Sequence, residues 1–159
     1  TTAATGLAVR AAGNEMKVLF TRFLKNENSC ELKVLDAIPN IHVIHLCKSF
    51  GFYHTLKEEE KIELQRIYRE LWGHIKEEIE LGNYKVLVLD EIISAYNYGI
   101  LDQQEVQYFL EHKPEELEVI LTGRNPGKEL MELADYVSEV KKIKHPYDKN
   151  IGARQGIEY

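Results

Sequence analysis

Residues Val86-Leu87-Val88-Leu89-Asp90-Glu91 set four consecutive apolar side chains directly ahead of two carboxylates. A strand wetted on one face alternates apolar with polar residues, so an unbroken apolar run this short is the pattern of a strand covered on both sides. Lys17 to Phe23, built around Val18-Leu19-Phe20, and Glu118 to Leu121 read the same way, and Ile41 to Leu46 suits a strand that alternates with His42 and His45. Helical patterns separate them. Thr1 to Gly13 is rich in alanine and predicts a helix with Gly13 as its C-cap, while Glu31 to Ile38 predicts a short helix stopped by Pro39-Asn40. From Lys57 to Leu81, the residues Leu64, Ile67, Tyr68, Leu71, Ile75 and Ile79 recur at helical spacing, a stripe that Gly82-Asn83 ends. Asp102 caps a helix through Glu111 with Glu105 as its capping-box partner, Glu129 to Ala134 is helical, and Tyr136 to Lys144 predicts a last strand. Strands alternating with helices from end to end give an α/β fold: a mainly parallel sheet with helices on both faces.

The 159 residues suit a single domain, 1–159, and their 20 Lys+Arg against 26 Asp+Glu leave a formal charge of −6. An acidic chain is poorly suited to sequence-independent nucleic-acid binding, which depends on Lys and Arg neutralising phosphates. No apolar run approaches the roughly 18 residues of a membrane span. Cys30 and Cys47 are too few for a disulfide framework, and with no signal-peptide pattern they fit a reducing cytoplasm.

In open α/β sheets ligands bind beyond the carboxyl ends of the strands. Three buried strands deliver polar residues to that edge: Thr21 and Arg22, Asp90 and Glu91, and Thr122 and Arg124. Asp90-Glu91 has the shape of a Walker B strand tip, where a carboxylate holds Mg²⁺ and so neutralises nucleotide phosphates; equally, it suits a helix N-terminus, whose dipole favours acids. Thr1-Thr2 opening a helix looks like the tail of a P-loop, or like a plain N-cap pair. Ser49-Phe50-Gly51-Phe52-Tyr53 puts three aromatics in a loop, where they either fold onto the core or line a pocket for a flat apolar ligand. His42, His45 and Cys47 invite a metal reading, but on a strand His42 and His45 point to opposite faces, leaving too few ligands on one side for zinc. The basic set Lys141, Lys142, Lys144, Lys149 and Arg154 reads first as a solvated face.

Taken in order, the alanine-rich opening with Arg10, the strand ending Asp90-Glu91, Tyr98-Gly99-x-Leu101-Asp102-x-x-Glu105-Val106, Leu121-Thr122-Gly123-Arg124, and the ending Lys144-His145-Pro146-Tyr147-Asp148 with Gly156-Ile157-Glu158-Tyr159 closely resemble the P-loop class of ATP:corrinoid adenosyltransferases, the CobA/BtuR type. The resemblance runs the whole length. It implies a P-loop NTPase (RecA-like) fold and a cytoplasmic homodimer that transfers the 5′-deoxyadenosyl group of ATP to the cobalt of a reduced corrinoid, releasing triphosphate. It also implies Mg²⁺ or Mn²⁺ as cofactor and a reductase that supplies electrons. Carried over by position, Thr1 matches the metal-ligating hydroxyl and Thr2 the helix-start residue beside the phosphates. Glu91 matches a metal ligand with Asp90 beside it, Arg10 and Arg124 match nucleotide contacts, and Phe50 and Phe52 match an aromatic pair that packs on the corrinoid.

Two departures accompany the match. The Gly-rich loop, its Lys and the strand ahead of them are expected upstream of Thr1 and are missing from this sequence. Phe52 stands where the family often has Trp, and Gly51 where it often has Thr. The competing expectations are a generic P-loop ATPase or kinase, which would transfer the γ-phosphoryl group, and a non-catalytic nucleotide-fold dimerisation module.

Overall fold

The computed structural model describes residues 1–24, 30–46, 50, 51 and 53–157. Four strands form one sheet: β1 (Val18–Arg22), β2 (Ile41–His45), β3 (Val86–Asp90) and β4 (Glu118–Leu121), in the order β2-β1-β3-β4 with every pairing parallel. Around it lie α1 (Thr2–Gly13), α2 (Cys30–Leu35), α3 (Glu58–Gly82), α4 (Ile92–Asn97), α5 (Gln103–His112) and α6 (Lys128–Leu133).

The period-two alternation of strand side chains explains why β1 and β3 are apolar throughout. Val18, Phe20, Val86 and Val88 face α1 and α2 in one core, which also takes Ala4, Ala8, Ala12, Leu32 and Leu35. Leu19, Leu87 and Leu89 enter a second, larger core with Leu64, Tyr68, Leu71, Trp72, Ile75 and Ile79 of α3. Helices therefore cover both faces of a parallel sheet, as the unbroken apolar runs require. The stripe on α3 follows the expected spacing, with Asn83 closing the helix in the left-handed conformation (φ 52°).

Three expectations are corrected. Tyr136 to Lys144 forms no strand; it runs as an exposed arm, because a strand exists only where a neighbour supplies its ladder hydrogen bonds. Gly13 is the last helical residue of α1 rather than its cap: Asn14 takes that place, and the left-handed turn falls on Glu15 (φ 60°). Asp102 does cap α5, its carboxylate accepting from the Glu105 N–H at 3.0 Å, but the Glu105 side chain pairs with Lys76 on α3 instead of closing a capping box.

From β1 the chain crosses to β2 on one side and then returns to β3 on the other. The strand order thus reverses between β1 and β3, and the crevice such a reversal opens lies at their carboxyl ends, where Arg22 and Asp90 are register partners.

Candidate active site

Asp90 ends β3 and is fully buried. Burying a carboxylate is costly unless hydrogen bonds replace its water, and here three elements supply them. Its Oδ1 accepts the Thr122 hydroxyl at 2.6 Å, from just past β4. The other oxygen, Oδ2, accepts the Thr1 hydroxyl at 3.1 Å, from the start of α1, and Nε–H of Arg22 at 3.2 Å. Arg22 reaches on to Glu31, in the first turn of α2, with its Nη2.

Glu91 follows in the left-handed conformation (φ 62°), which costs a non-glycine residue about 1–3 kcal/mol and is held here by its neighbours. Its N–H donates to the Thr122 hydroxyl at 2.9 Å, and its carboxylate accepts from Ser94 at 3.1 Å. Thr122 thereby links both acids, since its hydroxyl donates to Asp90 while accepting from Glu91. The turn that presents it needs Gly123: φ is 146°, and an added Cβ would come within 2.6 Å of the Ile93 Cβ.

Of the residues singled out from sequence, Thr1, Asp90 and Glu91 come together at this edge. Thr2 stands beside Thr1 in the first turn of α1. Arg124 is exposed two residues past Thr122, its carbonyl accepting from Asn97 at 3.2 Å. Arg10 lies in the last turn of α1, about 12 Å along the axis from Thr2, and so toward the opposite edge of the sheet. Phe50 is half-buried and packs against the α3 core beside Tyr53, whose ring stacks on Tyr98 at 4.5 Å. Phe52 and Cys47 lie outside the described residues. His42 bonds Tyr84 and His45 faces the Leu46 carbonyl, and among the described residues no three His, Cys, Asp or Glu side chains cluster.

Sequence reasoning placed Arg22 and Thr122 at this edge without giving either a role. A single observation could have: both follow apolar runs on strands that neighbour β3, so their side chains must end beside Asp90. The oxygen-only donors Thr1, Asp90 and Glu91 suit a hard divalent cation, which takes one or two carboxylates and completes its shell with water and phosphate. The fit is therefore chemically sound for Mg²⁺.

Comparisons with known proteins give the family. The profile of the ATP:corrinoid adenosyltransferase BtuR/CobO/CobP family matches residues 1–159. The chain is 31% identical to the corrinoid adenosyltransferase of Escherichia coli strain K12 over 159 residues, which are all of this chain and 79% of that protein. It is 32% identical to a corrinoid adenosyltransferase of Sinorhizobium over 162 residues, covering 99% of this chain and 74% of the relative. With corrinoid adenosyltransferase CobA of Salmonella typhimurium it shares 29% over 159 residues, 100% of this chain and 79% of the relative. A buried acid at a strand reversal, presented to a helix start and a threonine turn, is thus set in a chain that belongs to the ATP:corrinoid adenosyltransferase family.

Proposed function

We propose that the edge gathered around Asp90 grips the triphosphate of ATP so that the ribose C5′ faces the cobalt of a reduced corrinoid. One observation carries this reading: hydroxyls of Thr1 and Thr122 and the Arg22 guanidinium converge on one buried carboxylate at the point where strand order reverses. Co(I) is itself a strong nucleophile, so the protein need supply none. The cobalt electron pair forms the bond to C5′ while the C5′–oxygen bond breaks and triphosphate departs. Mg²⁺ bound at this edge would neutralise charge developing on that leaving group. Thr1 and Glu91 would ligate it, Asp90 would hold the Thr1 hydroxyl in place, and Thr2 and Arg124 would bind phosphate and nucleotide. Arg10, at the far end of α1, would reach the nucleotide only indirectly. Phe50, with Phe52, would pack on the corrinoid as an apolar wedge that helps displace the lower cobalt ligand. The reading includes a single domain, a homodimer and a reductase that provides electrons in the cytoplasm; among the described residues no helix is long and apolar enough to cross a membrane.

Product analysis tests it. With ATP, Mg²⁺ and pre-reduced corrinoid, the protein should release triphosphate and form a light-sensitive cobalt–carbon bond in equal amounts; ADP as the product would instead establish phosphoryl transfer. Glu91→Gln should lower kcat on the order of a hundredfold without changing the melting temperature, because the residue lies at a strand tip outside both cores. Unchanged turnover at saturating Mg²⁺ would remove Glu91 from the site.

A further inference from the structure

Arg22 and Asp90 are the buried ionisable side chains of charged type among the described residues, and they face one another across β1 and β3. A buried ion pair recovers its desolvation cost only with good geometry and every remaining donor satisfied, and an apolar pair of similar size often holds a core as well or better. Arg22 does not meet that standard among the described residues: Nε bonds Asp90 and Nη2 bonds Glu31, while the buried Nη1 has no partner there. Sheet stability is therefore a poor account of why a guanidinium ends β1.

Its effect on Asp90 is a better one. The Asp90 carboxylate receives side-chain donors from α1, β1 and the turn after β4, and among them Arg22 brings a positive charge. Glu31 in turn anchors the guanidinium from outside, so the planar fork spans from α2 to the strand tip. Lysine could bring the charge but not both arms at once.

We propose that Arg22 is a positioning residue that, through its Nε–H bond, holds Asp90 in the orientation the metal–triphosphate complex needs. This rests on the reading of the Asp90 edge given above. The test is binding, without corrinoid: Mn²⁺ affinity of the full chain in the presence of ATP, read by electron paramagnetic resonance, set beside ATP affinity without metal, read by equilibrium dialysis. Arg22→Lys should weaken Mn²⁺ about tenfold while metal-free ATP binding moves less than twofold. Glu31→Gln, at a partly exposed helix position, should weaken Mn²⁺ about threefold by freeing the outer arm, and serves if Arg22→Lys fails to fold. Unchanged Mn²⁺ affinity, or equal losses in both measurements, would overturn the positioning role, the second because it signals general loosening. Asp90→Asn separates this failure from that of the parent reading: if it too leaves Mn²⁺ binding intact, the metal–triphosphate reading fails. If it weakens Mn²⁺ and Arg22→Lys does not, the positioning role alone fails.

Discussion

Tyr84 shows how far single side chains are fixed away from the site. Its hydroxyl donates to Glu78 at 3.0 Å, so its lone pair receives Nδ1–H of His42 at 2.5 Å, while the Lys17 ammonium sits 4.4 Å above the ring. Burial, then the hydrogen bond and charge of Glu78, push its ionisation up to about 12 from an ordinary value of 10.0. The folded state therefore holds this proton more tightly than the unfolded chain does. The stability this contributes is complete below pH 10 and is lost between pH 10 and about pH 12. Tyr84→Phe should cost about 1 kcal/mol near neutrality, and it should flatten the alkaline loss relative to the unmodified protein, as read by urea unfolding at a series of pH values. Parallel losses in the two proteins would show that Tyr84 does not titrate in this window. At the same scale, Asp90 and Glu91 could be picked out from sequence because their position after four apolar residues fixes where they lie. The partners of Asp90 are far from it along the chain: Arg22 and Thr122 come from the strands that neighbour β3, whereas Thr1 reaches Asp90 through the packing of α1 on the sheet, which no local pattern in the sequence reveals.

Elements were legible where local chemistry and tertiary burial agree. α3 carries an apolar stripe, three acids in its first turn and an asparagine at its end, and each of these points to the same helix. α4 was not visible, since six residues are too few to show a period, and its start depends on Glu91 taking a left-handed turn. The alanines of α1 have a clear tertiary reason. Ala4, Ala8 and Ala12 recur every four residues and are buried against Phe20 and Val88, so they set how closely the helix lies on the sheet. Ala8→Leu inserts three carbons into that contact and should destabilise the protein by about 1–3 kcal/mol. Leu7→Ala, at an exposed position on the same helix, should change stability by less than about 0.5 kcal/mol. Urea midpoints of the two variants check the contrast, and equal effects would mean that α1 does not press on the sheet through its alanine face. The same close approach matters for function, because it brings Thr1 to Asp90.

Across the whole molecule, two cores on either side of one sheet account for nearly all buried residues up to α6, and the chain beyond it is organised differently. Tyr136, Val140 and Ile143 are 93%, 92% and 90% exposed, and ion pairs such as Lys142 with Asp148 are local to the arm. This is where sequence reading failed on the fold: β-branched and aromatic residues can mark a strand, but the ladder that would complete it must come from a neighbour. Apolar exposure on this scale is what a second copy or another element of the protein would cover, which is why the arm bears on the proposed homodimer. For the chain by itself the physical expectation is definite. A segment with few tertiary contacts opens at little cost, whereas α3 and the strands open only with the global transition. Limited trypsin treatment at protein concentrations where sedimentation shows a monomer should therefore cut at Lys141, Lys142 or Lys144 before it cuts at Arg66, Arg69 or Lys76 of α3. Mass spectrometry of the first fragments checks the order. If cuts in α3 appear first, the arm is packed against the body of the monomer, and the two cores extend beyond α6.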